Sequence, residues 1–380
     1  MTIRVLHVIE SFGKQADGVA EIVRLMAEQL AEKVDITIAT SSVEGDFSQA
    51  KFNIAQIYLP PGLIALQGAS RSREEFRLLV KKVQPDVIHI HGVFSPLQRI
   101  AIHVARQHKV PTLLSTHGML ESWLWEQKGW GYKLVKRAFW WTTIYPVLSN
   151  IYFVHAITNG EAKTLAKEFP RIPQIQIPNV IDLRSIKALS AKWAPERIFV
   201  FLGRVHPKKG VNLLVQAFKH ANLTNDWRLV IAGPDSSPAY GQELRQLAVD
   251  LGVADRVDFC GPVYGDAKYI LLGKAWVVVV PSFSEVIAIV NLEAAAVSTP
   301  TITTHATGLH DWEEGGGLLV DPKEDQLAQA LSKVASWSLD ERLKNGEKAH
   351  QFVKERYSWD VIVEKWIEAY KTISEEFAKC

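Results

Sequence analysis

Short apolar runs rich in branched side chains recur along this chain, separated by amphipathic stretches, and the whole pattern restarts halfway. The first series is RVLHVI (4–9), DITIAT (35–40), IAQIYL (54–59), VIHIHG (87–92), TLLSTH (112–117) and YFVHAIT (152–158). The second is RIFVFLG (197–203), RLVIAG (228–233), VDFCG (257–261), VVVVPS (277–282) and TITT (301–304). Strands buried on both faces read as continuous apolar runs, and between them VAEIVRLMAEQLAEK from Val19 repeats its apolar positions at helical spacing. The pattern therefore predicts α/β architecture with two doubly wound halves. IPNVIDLRSIKALSAKWAPE from Ile177 breaks the alternation with two prolines, which places the boundary near residue 183. The expected domains are 1–182, completed by about 360–380, and 183–359.

Two separate cores are affordable at 380 residues with 47% hydrophobic and 22% charged positions. The formal charge of +2 and the lack of a long basic tract argue against nucleic acid as a partner. Cys260 and Cys380 form neither a ligand spacing nor a disulfide framework, so a reduced compartment is expected. The start MTIRVLHVIESFG carries no signal-peptide pattern, and the expected location is the cytoplasm. From Ala138 to Ile157 there is no Asp, Glu, Lys or Arg, and a bilayer span needs only about 20 apolar residues. Pro146, Ser149 and Asn150 interrupt this segment, which predicts a helix ending near Tyr145, a turn, and a buried strand at Tyr152–Thr158.

Open parallel sheets bind ligands beyond the carboxyl ends of their strands, so the residues just after each run carry the most information. In ESFGKQADGVAE, Gly13 and Gly18 bracket a loop that opens a helix, an arrangement suited to an anion or to a plain turn. STHGML puts His117 at a strand tip; His89 reads as packing and His91 as a neighbour of the cleft. In FLGRVHPKKGVNLLVQAF, Arg204 and Lys209 flank a turn before Gly210 opens a helix. Two cations beside a helix start suit a pyrophosphate, the alternative being a solvated basic loop. PSFSEVIAIVNLEAAAVSTP holds Glu285 and Glu293 in an otherwise uncharged run. With a helix starting near Ala288, free N–H groups would take phosphate oxygens. Glu285 would then stand where an attached sugar lies and Glu293 nearer a ribose, since carboxylates accept paired hydrogen bonds from vicinal hydroxyls.

Taken together, Glu285 and Glu293 with seven residues between them, GRVHPKKG, THG at 116–118, IPNVID at 177–182 and the closing YSWDVIVEKWIEAY resemble the family 4 retaining glycosyltransferases over nearly the whole chain. That resemblance implies the GT-B fold: two Rossmann-like domains facing across a cleft, with the final helix crossing back to the first. It implies a nucleotide-sugar donor held mainly by the second domain. Arg204 and Lys209 would hold the diphosphate leaving group, Glu293 the ribose hydroxyls, and Glu285 and His117 the sugar. Gly18 would complete the pocket, Val263 would neighbour the base, and the backbone of Val286, Ile287, Ala288, Ile289 and Val290 would line the donor. The chain also resembles enzymes of bacterial exopolysaccharide assembly, among them the cyanobacterial heterocyst envelope polysaccharide transferases. It departs from the family where Val286, Ile287 and Ala288 replace glycines, where Ser298 replaces another, and where Asp17 precedes Gly18. A non-glycine residue resists positive φ, so the donor loop is expected to take a different path.

No Asp-X-Asp motif is present, and fixed cations are expected to replace a divalent ion, with no cofactor beyond the donor. The resemblance implies retention by front-face attack, the departing phosphate oxygen taking the acceptor proton. UDP-glucose is the expected donor, followed by GDP-mannose, and the acceptor a glycan or a lipid-linked glycan. MLESWLWEQKGWGYKLVKRAFWW interleaves Trp123, Trp125, Trp130, Tyr132, Trp140 and Trp141 with Lys128, Lys133, Lys136 and Arg137. Two readings stay open for it: a packed helix with a solvated basic face, or peripheral contact with the inner face of the plasma membrane. A sugar-nucleotide epimerase of the same architecture, a pyridoxal-dependent phosphorylase and a non-catalytic nucleotide-sugar sensor are the rival functions.

Overall fold

The computed structural model describes residues 2–13, 18–59, 70–121, 129–187 and 193–379. Asp17, Trp123, Trp125 and Lys128 lie outside them. The chain divides into two compact units, Met1–Pro178 with Ile362–Cys380, and Asn179–Val361.

The first unit is built on seven parallel strands: β1 (Arg4–Gly13), β2 (Asp35–Glu44), β3 (Asn53–Gln56), β4 (Val87–His91), β5 (Thr112–Ser115), β6 (Phe153–Ala156) and β7 (Gln174–Gln176). They lie in the order β3-β2-β1-β4-β5-β6-β7. The second unit has β8 (Ile198–Leu202), β9 (Arg228–Ala232), β10 (Val257–Gly261), β11 (Val277–Val280), β12 (Thr301–Thr304) and β13 (Leu318–Val320). Their order, β10-β9-β8-β11-β12-β13, repeats the first six places of the other sheet. Both are doubly wound Rossmann-like sheets, and in each the order reverses beside the first strand, between β1 and β4 and between β8 and β11.

Central strands are buried on both faces, as their apolar runs require: Val87–His91 and Val277–Val280 have no exposed residue. In the second unit Phe199, Leu229, Val277, Val279 and Ile302 form one core with the helices that flank the sheet. The edge strands β7 and β13 escape the sequence pattern because they are short and at most half-buried. β3 and β5 are shorter than their apolar runs suggest.

Pro146 does not end its helix. The helix Gly129–Phe139 runs into a π-helical stretch, Trp140–Ile144, and then a last turn, Tyr145–Leu148. The Tyr145 N–H donates to the Trp140 carbonyl, five residues back. Widening the helix there accommodates a proline that lacks an N–H and whose ring would strike the carbonyl four residues earlier.

The last helix, Trp359–Ala378, begins in the second unit and packs in the first, where Tyr370 and Trp366 reach the rings of His89 and His155. Among the described residues no helix is long and apolar enough to cross a membrane.

Candidate active site

In the second unit the strands flanking the order reversal, β8 and β11, deliver the loops GRVHPKKG and PSFSEVIA. The first folds into a short 3-10 turn, Pro207–Lys209, whose start is capped by His206: Lys208 N–H donates to His206 Nδ1 at 3.0 Å. That bond leaves the proton of a neutral His206 on Nε2. Burial, followed by the charges of Arg204, Lys208 and Lys209, holds His206 below its usual pKa, so three cations converge on this turn. Arg204 itself is exposed.

The two loops are stitched together by backbone. Gly210 has φ +67°, and a Cβ there would stand 2.2 Å from the Pro281 carbonyl oxygen. Phe283 N–H donates to the Lys208 carbonyl at 2.9 Å. This contact brings Lys209 Nζ to 2.5 Å from Glu285 Oε1, an ion pair without the alignment of a directed hydrogen bond. The Glu285 side chain is only 14% exposed and that of Lys209 27%. Behind the loop, Glu285 N–H donates to Ala306 O and Ala288 N–H to Thr307 O, while Thr304 Oγ1 donates to Ser282 O. Val286, Ile287 and Ala288 take this path without positive φ; Ala288 has φ −82°.

Ala288 begins the helix Ile289–Ala296 with no side-chain cap, so N–H groups of its first turn remain for a ligand. Asn291 is fully buried and donates to Thr303 Oγ1, which anchors the helix start against β12. Glu293, one turn further, lies 2.6 Å from Lys268 Nζ on the helix Gly265–Lys274. Burial opposes the charge of Lys268, but Glu293 and Tyr269 outweigh it and raise its pKa. Lys268 was not among the sequence candidates, because it sits inside an ordinary helix rather than at a strand end. Val263 is half-buried in the loop after β10, toward the far edge of the sheet.

In the first unit, β5 ends in Thr116, His117 and Gly118, the last two with φ +49° and +74°. Glu161, 5% exposed, holds this tip. Its Oε1 accepts from Thr116 Oγ1 at 2.7 Å and Gly118 N–H at 2.8 Å, and its Oε2 from Ile157 N–H at 2.8 Å. Burial raises the Glu161 pKa against these bonds. The signal for this residue was present: TNGE at 158–161 has capping-box spacing, and Thr158 does cap the helix Asn159–Glu168. His117 is half-buried, with Nε2 3.0 Å from His91 Nδ1. Gly18 opens the helix Gly18–Leu30, with open space where a Cβ would stand.

Farther along the first unit, Arg73, Arg99, Arg106 and His103 line a groove with Pro146 and Val147. Burial lowers the pKa of Arg99, with no carboxylate contributing to the shift. On the neighbouring helix Trp130 is 79% and Val135 71% exposed, and Phe139 and Trp141 are also exposed; Trp140 instead is buried and donates to Glu168.

Residues 185–359 match the family Glycosyl transferases group 1, and residues 16–185 match Glycosyltransferase Family 4. An uncharacterized glycosyltransferase of Methanocaldococcus jannaschii is 36% identical over 184 residues, which make up 47% of this chain and 46% of that protein. The chain thus spans about half the length of the curated relatives it matches first. A GDP-mannose:cellobiosyl-diphosphopolyprenol alpha-mannosyltransferase of Xanthomonas campestris is 25% identical over 390 residues, covering 97% of this chain and 96% of that one. Among solved structures, Anabaena HepE in complex with UDP and glucose superposes with a TM-score of 0.74 at 16% identity, covering 97% of this chain and 100% of HepE. That last likeness is one of fold.

Proposed function

The chain belongs to the family 4 glycosyltransferases and has the GT-B fold, and on that premise we propose that it is a retaining hexosyltransferase. It moves a hexose from a nucleoside diphosphate sugar to a glycan or lipid-linked acceptor in polysaccharide synthesis. The observation that carries this reading is the Lys209–Glu285 pair, placed at the order reversal of the second sheet just ahead of an uncapped helix start. A diphosphate needs fixed cations and free N–H groups, the attached sugar needs a carboxylate, and here the three lie side by side.

Breaking the anomeric bond builds negative charge on the diphosphate and positive character on the sugar ring. Lys209 and Arg204 offset the first, together with the helix N-terminus, without reorganising as the bond breaks. Glu285 is already held by Lys209 at low exposure, which orients its carboxylate for the sugar hydroxyls. Glu293, braced by Lys268, accepts from the ribose hydroxyls. Val263 neighbours the base, and the backbone from Val286 to Val290 lines the donor. His117 and the segment opening at Gly18 serve the sugar and the acceptor side. For retention, the leaving phosphate oxygen takes the acceptor proton on the same face of the sugar.

UDP-glucose is the first donor to test, since HepE was solved with UDP and glucose, and GDP-mannose the second, since the Xanthomonas relative is named for it. A lipid-linked acceptor fits the exposed Trp130, Phe139 and Trp141 beside the arginine-lined groove, a surface suited to the inner face of the plasma membrane. A panel of nucleotide sugars in thermal-shift titrations tests the donor reading, because a ligand of the folded state raises its stability by mass action. A shift with one of them, and a transferred sugar of unchanged anomeric configuration, is the expected result; no shift with any of them would overturn it.

A further inference from the structure

Five imidazoles gather inside the first sheet: His7 on β1, His89 and His91 on β4, His155 on β6, and His117 just after β5. They divide into two hydrogen-bonded chains. Burial lowers the pKa of all five, to about 3 for His7 and His117 and about 4 for His155, so each ring is neutral and carries one proton.

One chain has a single solution. His155 Nε2 lies 2.7 Å from the Ile177 carbonyl, which can only accept, so Nε2 holds the proton and Nδ1 a lone pair. Ser115 must then donate its one proton to His155 Nδ1, 2.7 Å away, and accept from His89 Nε2, also at 2.7 Å. His89 Nδ1 is left to accept from the Tyr370 hydroxyl at 2.8 Å. Every proton is assigned, and each donor finds an acceptor.

The second chain has loose ends. His7 Nδ1 is 2.9 Å from His91 Nε2, and His91 Nδ1 is 3.0 Å from His117 Nε2. His7 Nε2 and His117 Nδ1 are buried without partners. A neutral His91 donates through one nitrogen and accepts through the other, so the protons all point one way. Pointed toward His7, they leave an N–H stranded on a fully buried ring, in contact with the rings of His89, His91 and Tyr370. Pointed toward His117, they leave a bare lone pair on His7 instead, and the stranded N–H moves to Nδ1 of His117, a half-buried residue at a strand tip. Orphaned N–H groups deep inside proteins are rare, and a ligand at the tip can satisfy the second arrangement.

We infer that the chain runs from His7 through His91 to His117, making His7 and His91 positioning residues that hold the His117 proton on Nδ1 as a donor to a ligand oxygen. A buried metal ion is the competing use of His7, His89 and His91, whose ligand atoms lie within 4.8 Å of one another. The rings do not converge on a centre, however. His89 lies over the face of His91, centroids 4.1 Å apart and planes 35° inclined, and both His89 nitrogens are already engaged.

The test is long-range proton–nitrogen correlation on the full chain labelled with 15N-histidine, first without ligand. One tautomer of His117 with the proton on Nδ1 is expected; a proton on Nε2, or a metal ion bound stoichiometrically to the purified protein, would overturn the inference. His91→Phe should leave His117 as a mixture of tautomers. His91→Asn, whose amide N–H stands near the place of Nδ1, should restore the single one, and an unchanged His117 signal in His91→Phe would also sink the idea. Only the identity of the ligand oxygen rests on the glycosyltransferase reading. With UDP-glucose as the probe, His91→Phe should weaken binding by the reciprocal of the fraction of His117 that keeps its proton on Nδ1, about twofold for an even mixture, and leave kcat nearly unchanged. Failure of UDP-glucose to bind the unaltered protein would count against that reading and leave the tautomer result standing.

Discussion

The two units share a strand order and differ in where they keep their polar chemistry. The first buries neutral imidazoles within the sheet itself, on β1, β4 and β6. The second leaves its central strands apolar and carries its charges beyond them, paired as Lys209–Glu285 on the loops and Lys268–Glu293 between two helices. The lesson is that one topology fixes where a ligand can be met, and side chains decide with what. The first unit presents uncharged rings joined by hydrogen bonds, the second charges held in pairs, which on the proposed function a diphosphate would re-pair.

Mild acid should break the symmetry most strongly. The five imidazoles have folded-state pKa values below the ordinary 6.5, so an unfolded chain binds protons before the folded one does. Their contribution is present above pH 6.5 and is lost as pH falls below it, down to folded values near 3 for His7 and His117 and near 4 for His155. Between pH 6.5 and 5.5 each costs about 1 kcal/mol, several kcal/mol together. Glu161, raised by burial, works the other way, but it is one group against five and acts only nearer its own range. Among the described residues of the second unit no histidine is buried, and burial lowers the pKa of the half-buried His206. Hydrogen exchange at pH 7.5 and 5.5 should therefore show β4 and β5 losing protection while β11 and β12 keep theirs. Equal loss in both sheets would show that the buried imidazoles do not govern acid stability.

Removing a charge from the second unit should have the next largest effect, chiefly on rate. Lys209→Ala should lower turnover roughly 10²–10³-fold, the scale of one lost electrostatic stabiliser. Because the Glu285 side chain is only 14% exposed, leaving it unpaired should also cost the fold about 1–3 kcal/mol, so turnover is compared at a temperature where both proteins stay folded. Glu293→Ala should raise KM for the donor more than it lowers kcat, since ribose contacts are made equally in ground and transition states. Steady-state kinetics with the donor found by thermal shift checks both, and near-normal rates in Lys209→Ala would remove the diphosphate assignment.

These loop charges were legible in the sequence while the buried network was only partly so, for a physical reason. A parallel strand announces itself as an apolar run, and Lys209 and Glu285 stand just past two such runs that topology makes neighbours. His89 reads as packing and is indeed fully buried, but nothing in VIHIHG reveals that both its nitrogens are engaged by Ser115 and by Tyr370, 281 positions away. Glu161 could have been flagged from its capping spacing, though not its bonds to Thr116 and Gly118. Lys268 has no local signal, since only the fold sets it against Glu293. β7 and β13 are too short and too exposed to show a burial pattern, and Pro146 misleads because a π turn absorbs it.

Glu161→Gln probes the first unit alone. The carboxylate accepts three hydrogen bonds, and an amide nitrogen must face at least one of those donors. A loss of about 1–3 kcal/mol in urea unfolding is expected, the cost of a buried donor left unmatched. An unchanged midpoint would mean that the β5 tip is held by something other than this residue.

The smallest effect compares one feature the units have in common: non-glycine residues in the left-handed region, among them His117 in the first and Ser298 in the second, with φ +49° and +56°. Neither side chain favours that conformation, so the surroundings impose it. At Ser298 the cause is visible. Its carbonyl accepts from Arg342 Nη1 at 2.9 Å and approaches Gly346 so closely that a Cβ there would stand 2.1 Å away. The Ser298 hydroxyl makes no hydrogen bond among the described residues, so only the backbone of this residue is engaged. Glycine relieves left-handed strain of about 1–2 kcal/mol but gives back about 0.5–1 kcal/mol in unfolded-state entropy, so Ser298→Gly should stabilise by roughly 0.5 kcal/mol. Ser298→Val, β-branched, should destabilise by about 1–2 kcal/mol. His117→Gly would relieve comparable strain and, on the role proposed for its side chain, still weaken donor binding. If thermal unfolding showed Ser298→Gly to be destabilised, the strain at this helix end would not be the glycine-relievable kind that the φ value implies.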